Sequence, residues 1–189
     1  MPLEIKICGL KTDEAVAAAL AAGADMVGFV FFPKSPRNVS LDEAVRLAAP
    51  ARGRARIVAL VVDADDASLA AIADRLAPDL LQLHGHESPE RVAAIGALTG
   101  LPLMKALPVA EAADLAALPA YLPLVERILL DAKPPKTPEA LPGGNGLAFD
   151  WRLVADLDPG LPIMLSGGLT PENVTRAIAV TGVRALDVS

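Results

Sequence analysis

Residues 3–31 read LEIKICGLKTDEAVAAALAAGADMVGFVF, and this stretch decides the fold. Leu3–Ile7 is a short apolar, β-branched run of strand character. Thr12 or Asp13 can cap the alanine-rich helix that runs on through Leu20, because a short polar side chain accepts from the unpaired N–H groups of a first helical turn. Met26–Phe31 is a second strand. A strand, a helix and another strand in so short a span form a parallel crossover, since parallel neighbours need a long connection.

The same alternation continues outward from this unit. The polar turn Pro33-Lys34-Ser35-Pro36-Arg37-Asn38 leads to Ser40, a cap for the helix Leu41–Ala48, and Arg56–Val62 reads as strand three. Another helix starts within Asp63–Asp66. Further strands read at Leu80–Leu83, Leu103–Lys105, Arg127–Leu130, Pro162–Leu165 and Ala185–Val188. Helices lie between them near Pro89–Leu98, Ala110–Leu118, Trp151–Ala155 and Thr170–Val180. Eight strands alternating with seven helices, without a break in composition, favour closure into a parallel (β/α)8 TIM barrel, one α/β domain over residues 1–189. An open doubly wound sheet is the alternative, and its dinucleotide-binding form would want a Gly-x-Gly-x-x-Gly turn after strand one, which is missing. Lys133–Ala148 is the longest stretch without periodicity, and its Pro and Gly content marks a loop that could fold over a site.

Bulk properties narrow the function classes. The chain has 189 residues, 53% hydrophobic, enough for one sizeable core. No uninterrupted apolar run reaches the roughly 18 residues of a membrane span, so a protein free of membrane is expected. The opening residues lack the order of a secretory signal. A single cysteine cannot close an internal disulfide, and two histidines offer no zinc spacing; a reducing cytoplasm fits. A net charge of −6 with few aromatics argues against a nucleic-acid surface. It leaves room for a small anionic substrate, whose phosphate needs only a few local donors.

In such a barrel the loops after the strands form the active face. A two-residue period turns Ile5 and Ile7 toward the helices and Lys6 and Cys8 toward the axis, with Cys8 at the exit. The same count brings Asp131, Gln82, His84 and Asp187 to one rim. Each has a plainer reading: Cys8 as a small buried hydrophobe, Asp131 as a turn cap or partner of Lys133, His84 as a loop anchor, His86 as a solvated side chain. Ser166-Gly167-Gly168-Leu169 follows strand seven and opens a helix at Thr170-Pro171, presenting bare N–H groups and a positive helix end to a phosphate. Gly143-Gly144-Asn145-Gly146 lacks the ending of a nucleotide-triphosphate loop and reads as a flexible lid.

Taken in order, Lys6-Ile7-Cys8-Gly9, Phe32-Pro33-Lys34-Ser35-Pro36-Arg37, Gln82-Leu83-His84-Gly85, Leu130-Asp131-Ala132-Lys133, the lid glycines with Phe149-Asp150-Trp151, Ser166-Gly167-Gly168-Leu169 and Asp187-Val188-Ser189 span the chain. This series resembles the phosphoribosylanthranilate isomerase family of tryptophan biosynthesis. The resemblance implies an Amadori rearrangement of a small phosphorylated substrate, N-(5-phosphoribosyl)anthranilate, without metal or organic cofactor, by a monomer or homodimer. It further implies Asp131 as general acid, Cys8 as general base and Arg37 as the clamp on the anthranilate carboxylate. Lys6, His84, Gly144, Gly167, Gly168, Asp187 and Ser189 join the substrate-binding set, with phosphate at Gly167, Gly168 and the end of strand eight.

These roles set demands on the surroundings. An ordinary thiol of pKa about 8.5 is only a few per cent anion at neutrality, and an ordinary aspartate of about 3.9 is almost never protonated. Lys6, two residues from Cys8 on the same face, is expected to favour the thiolate; burial, Asp187 or the substrate phosphate is expected to raise Asp131. Two departures from the family pattern stand out. Leu147 replaces a polar side chain after the lid glycines, and the chain ends at Ser189, ahead of a further Ser-Gly phosphate loop and final helix. That ending predicts weakened phosphate binding, lower stability and exposure of Ile5 and Ile7. Rival readings are a metal-dependent ribulose-phosphate epimerase, which would want metal-binding histidines, and an indole-forming lyase, for which Lys6 and Lys105 are partial matches. A non-catalytic phosphate-binding module is the reading from another class.

Overall fold

A computed structural model describes residues 3–135, 141–155 and 157–189. The opening stretch forms β1 (Glu4–Cys8), α1 (Asp13–Ala21) and β2 (Met26–Phe31), with the strands parallel and Cys8 opposite Gly28. Thr12 caps α1 by accepting the Ala15 N–H. A reciprocal cap at Ser40 and Glu43 starts α2 (Leu41–Ala48), which leads to β3 (Arg56–Val61). After α3 (Asp66–Ala71) come β4 (Leu80–Leu83), α4 (Pro89–Thr99), β5 (Leu103–Val109), α5 (Leu118–Tyr121), β6 (Arg127–Ala132), β7 (Ile163–Leu165), α6 (Val174–Thr181) and β8 (Ala185–Val188). Each strand pairs parallel with the next, and β8 returns to β1 with Asp187 opposite Lys6, so the sheet closes as the expected eight-stranded barrel.

The alternation of side chains sorts the core into two shells. Ile57, Ala59 and Val61 of β3 point outward and pack with helix residues such as Leu47 and Leu69. Met26, Val58, Leu80, Met104, Leu129 and Met164 fill the axis and are fully buried. Below them the N-terminal mouth is closed by ion pairs between first residues of strands and their neighbours, Arg127 with Glu4 at 2.6 Å and Arg56 with Glu126 at 2.8 Å. The wider C-terminal mouth carries the polar rim.

Several elements differ from the sequence reading, and the helix expected at Trp151–Ala155 is a 3₁₀ turn at Trp151–Val154. β5 runs four residues past Lys105, although it contains Pro108; its pairing with β4 stops at Lys105, so the missing N–H of Pro108 interrupts no ladder there. The expected helix over 110–118 is a 3₁₀ segment at Ala112–Ala117 followed by the one-turn α5, a run broken by prolines. α6 begins at Val174 and not at Thr170, because Asn173 accepts the Thr170 N–H and donates to the Gly168 carbonyl, holding a turn ahead of the helix. Ile5 and Ile7 are half-buried. Of the expected loop over 133–148, residues 136–140 lie outside the described residues. Among the described residues no helix is long and apolar enough to cross a membrane.

Candidate active site

The rim is built from the last inward residue of several strands. Cys8 ends β1, buried beside Val30 and Leu60, and Asp131 lies near the end of β6, 4% exposed. Both open onto one cavity, which Arg37 and His84 also line. A second cavity shares Asp131, Arg37, Asp187 and Ser189 with the first and extends to the Gly167–Gly168 turn. The two form one trough from the mouth of β1 to the loops after β7 and β8.

Beneath the trough lies a buried charge pair. The Lys6 ammonium is fully buried and donates to Asp187 Oδ1 at 2.7 Å. Lys6 lines neither cavity and sits beneath them. Burial opposes its charge, yet Asp187 and Cys8 together outweigh burial and hold the ammonium above its ordinary range. Burial likewise pushes the Asp187 carboxyl up against the pull of Lys6. For Cys8 the expected help from Lys6 is present but insufficient; burial dominates, Asp187 adds to it, and the thiol lies above its usual range. That shift favours the thiol form of Cys8 at neutrality.

On the facing wall a chain of contacts reaches Asp131. The Gln82 amide nitrogen lies 2.9 Å from His84 Nδ1, and His84 Nε2 lies 3.2 Å from Asp131 Oδ2. These two contacts join Gln82, His84 and Asp131 in one line along the wall. Asp131 Oδ1 accepts the Ala132 N–H at 2.9 Å. His84 is thus tied to Asp131 and not merely to its own loop, while Lys133 pairs with Asp114 and leaves Asp131 alone. His86 is solvated, as expected, its side chain 91% exposed beside Asp63.

Glycines let the lid and loops close on these groups. A Cβ at Gly143 would fall 2.5 Å from His84 Nε2 and 2.7 Å from Asp131 Oδ2, so the lid backbone rests on the acid pair. Arg37 is held between Gly9 and Gly144, where any side chain would collide with its guanidinium arm. Among the described residues that guanidinium makes no hydrogen bond or ion pair, and its fork faces the cavity. Gly168 meets the Leu147–Ala148 backbone, which brings the far end of the lid against the β7 loop. The helix end expected at Thr170 is displaced to Val174, so the nearest anion donors on this loop are the N–H groups of the glycine turn itself.

The family model described as N-(5'phosphoribosyl)anthranilate (PRA) isomerase matches residues 5–189. The chain belongs to this family. Among phosphoribosylanthranilate isomerases, that of Rhizobium meliloti (strain 1021) is 60% identical over all of this chain and 87% of the relative, and that of Azorhizobium caulinodans is 59% identical over all of this chain and 82% of the relative. The solved Thermotoga maritima phosphoribosylanthranilate isomerase superposes with a TM-score of 0.87 at 33% identity, covering 99% of this chain and 87% of that one. Another solved phosphoribosylanthranilate isomerase, 32% identical with a TM-score of 0.84 over 99% of this chain and 87% of its own, holds reduced 1-(o-carboxyphenylamino)-1-deoxyribulose 5-phosphate.

Lys105 bears on the lyase alternative to a phosphoribosylanthranilate isomerase. It points away from the barrel axis and is buried against Glu87, 2.7 Å away, with its ammonium 5.9 Å from the Tyr121 ring centre. Glu87 in turn accepts N–H groups of Asp63 and Gly85 and so ties the loops after β3 and β4 together. The sequence reading missed this clamp, although the same two-residue count that turns Met104 inward turns Lys105 outward.

Proposed function

We propose that the rim trough carries the Amadori rearrangement of N-(5-phosphoribosyl)anthranilate to 1-(2-carboxyphenylamino)-1-deoxyribulose 5-phosphate in tryptophan biosynthesis, with Asp131 as general acid and Cys8 as general base. The observation that carries this reading is that both groups open onto one cavity, with a free arginine fork and a glycine turn along it. Asp131 gives its proton to the ribose ring oxygen while the C1–O bond breaks and the nitrogen lone pair forms an iminium. The Cys8 thiolate removes the C2 proton, and the electron pair released neutralises the iminium to an enolamine. Ketonisation returns the proton held by Cys8 to C1 and passes the C2 hydroxyl proton to the Asp131 carboxylate, so that acid and base regain their starting forms.

The iminium supplies what the resting site lacks. A cation formed within a few ångströms of Cys8 favours the thiolate that burial disfavours, so on ring opening the thiol gives its proton to solvent, and it regains one from solvent after the product leaves. Arg37 holds the anthranilate carboxylate bidentately, and the N–H groups of Gly167 and Gly168, with the end of β8, hold the phosphate. No cofactor enters this scheme. We place the chain in the cytoplasm, as a monomer or homodimer and a single barrel domain.

The test follows the loss of phosphoribosylanthranilate fluorescence with a metal chelator present. Activity there is expected, and Cys8→Ser and Asp131→Asn should each lower kcat by at least about a hundredfold, the low end for general acid–base groups. Near-normal turnover in either variant removes that residue from the scheme. Absence of turnover in the parent favours the phosphate-binding module.

A further inference from the structure

Gly28 lies inside β2, paired with Cys8 on one side and Val58 on the other. Glycine weakens the interior of a strand, for it adds backbone freedom and packs nothing. Its backbone gives no reason for the choice, since Gly28 is not among the positive-φ glycines. The reason lies in its neighbours. A Cβ built there would stand 2.9 Å from the Cys8 Sγ, 3.2 Å from the Cys8 Cα and 3.3 Å from the Lys6 Cε. Both side chains of β1 therefore lean over the bare backbone of β2, and the volume a side chain at 28 would fill is occupied by the sulfur and the end of the lysine stem.

We infer that Gly28 is a positioning residue for the reaction: by carrying no side chain it seats the Cys8 sulfur against β2, beside the stem of Lys6 and at the depth from which it reaches C2 of the substrate. This rests on Cys8 being the base. A methyl group at 28 has to push the sulfur along the barrel axis or turn it about its χ1, because the sulfur is the nearest atom, the Cys8 Cα is strand backbone that cannot yield, and the Lys6 stem is the more distant contact. Either movement changes the distance of the sulfur from the ammonium and from C2, while Arg37 stays held between Gly9 and Gly144 and the phosphate turn after β7 keeps its place.

Gly28→Ala is accordingly expected to lower kcat by between about tenfold and a hundredfold, the penalty of a misplacement near 1 Å, with KM within a factor of about two. The pH midpoint of Cys8 alkylation by iodoacetamide should rise, since the thiolate loses its nearest cation; a role in folding alone would leave that midpoint where it is. Cys8→Ser, assayed alongside, separates the two levels. An active Cys8→Ser overturns the choice of base, whereas an inactive Cys8→Ser together with a Gly28→Ala protein of normal kcat and normal midpoint overturns only the role of Gly28. Should Gly28→Ala fail to fold, the pair Gly28→Ala/Cys8→Ala decides: recovery of folding on removal of the sulfur supports the proposal, and failure of both proteins places the clash in the strand backbone and overturns it.

Discussion

Replacing Lys6 by methionine tests the electrostatics under the trough. The side chain is fully buried and its partner Asp187 is 5% exposed, so the substitution leaves a carboxyl group in the barrel interior with no cation 2.7 Å away. Breaking a buried pair from one side costs about 3–5 kcal/mol. For a chain of this size that is roughly 6–20 °C in Tm. The pH dependence has a definite sign. Burial already holds Asp187 above its ordinary value with Lys6 present, and loss of the ammonium raises it further. A carboxyl whose folded pKa exceeds the unfolded value of about 3.9 binds more protons when folded, so Lys6→Met gains stability as pH falls from the raised folded value toward about 4 and loses it as pH rises. Urea unfolding at several pH values reads this directly. The double variant Lys6→Met/Asp187→Leu should recover most of the loss and lose the pH trend, because no charge is then stranded. A Lys6→Met protein within about 1 kcal/mol of the parent at pH 7, with no trend, would refute the reasoning that a stranded buried carboxylate is this costly.

Other outcomes follow from the same geometry. In the unliganded parent, alkylation of Cys8 should show a midpoint above the ordinary thiol value of about 8.5, because burial pushes it up; a midpoint below that value in a pH-rate series contradicts the resting thiol. Arg37→Lys removes a planar fork and should lower kcat/KM by roughly ten- to a hundredfold, the equivalent of about 1.5–3 kcal/mol for a charged hydrogen bond, chiefly through KM. Steady-state kinetics with an unchanged KM would remove Arg37 from substrate binding. Gly143→Ala places a methyl group 2.5 Å from His84 Nε2 and 2.7 Å from Asp131 Oδ2, and its kcat is expected to fall by at least about tenfold; a normal kcat would mean that the lid does not rest on the acid pair during turnover.

Much of the barrel was legible because its signals are local. The bounds of β2, α2, β4 and β8 follow from apolar runs and from a Ser–Glu cap within a few residues of chain. The misread elements contain proline or a competing side-chain turn: β5 continues through Pro108, α5 is cut short, and α6 waits for the Asn173 turn to finish. A two-residue count sufficed to turn Cys8, Gln82, His84, Asp131 and Asp187 inward. It could not say which would meet, because that depends on closure. Lys6 and Asp187 are 181 positions apart and become neighbours only when β8 joins β1. The same closure puts Lys6 below the floor. The contact of Gly143 with the acid pair is set by a loop with no period of its own, and Gly28 carried a signal, a glycine in the middle of a strand, that was left unread.

The ion pairs of Glu4, Arg56, Glu126 and Arg127 at the opposite mouth have a practical meaning. They stand a full strand length from the trough, on the ends of β1, β3 and β6 where no substrate arrives. Heat tolerance can therefore be tuned at that mouth without altering any group of the trough, and directed changes there can be screened first by melting.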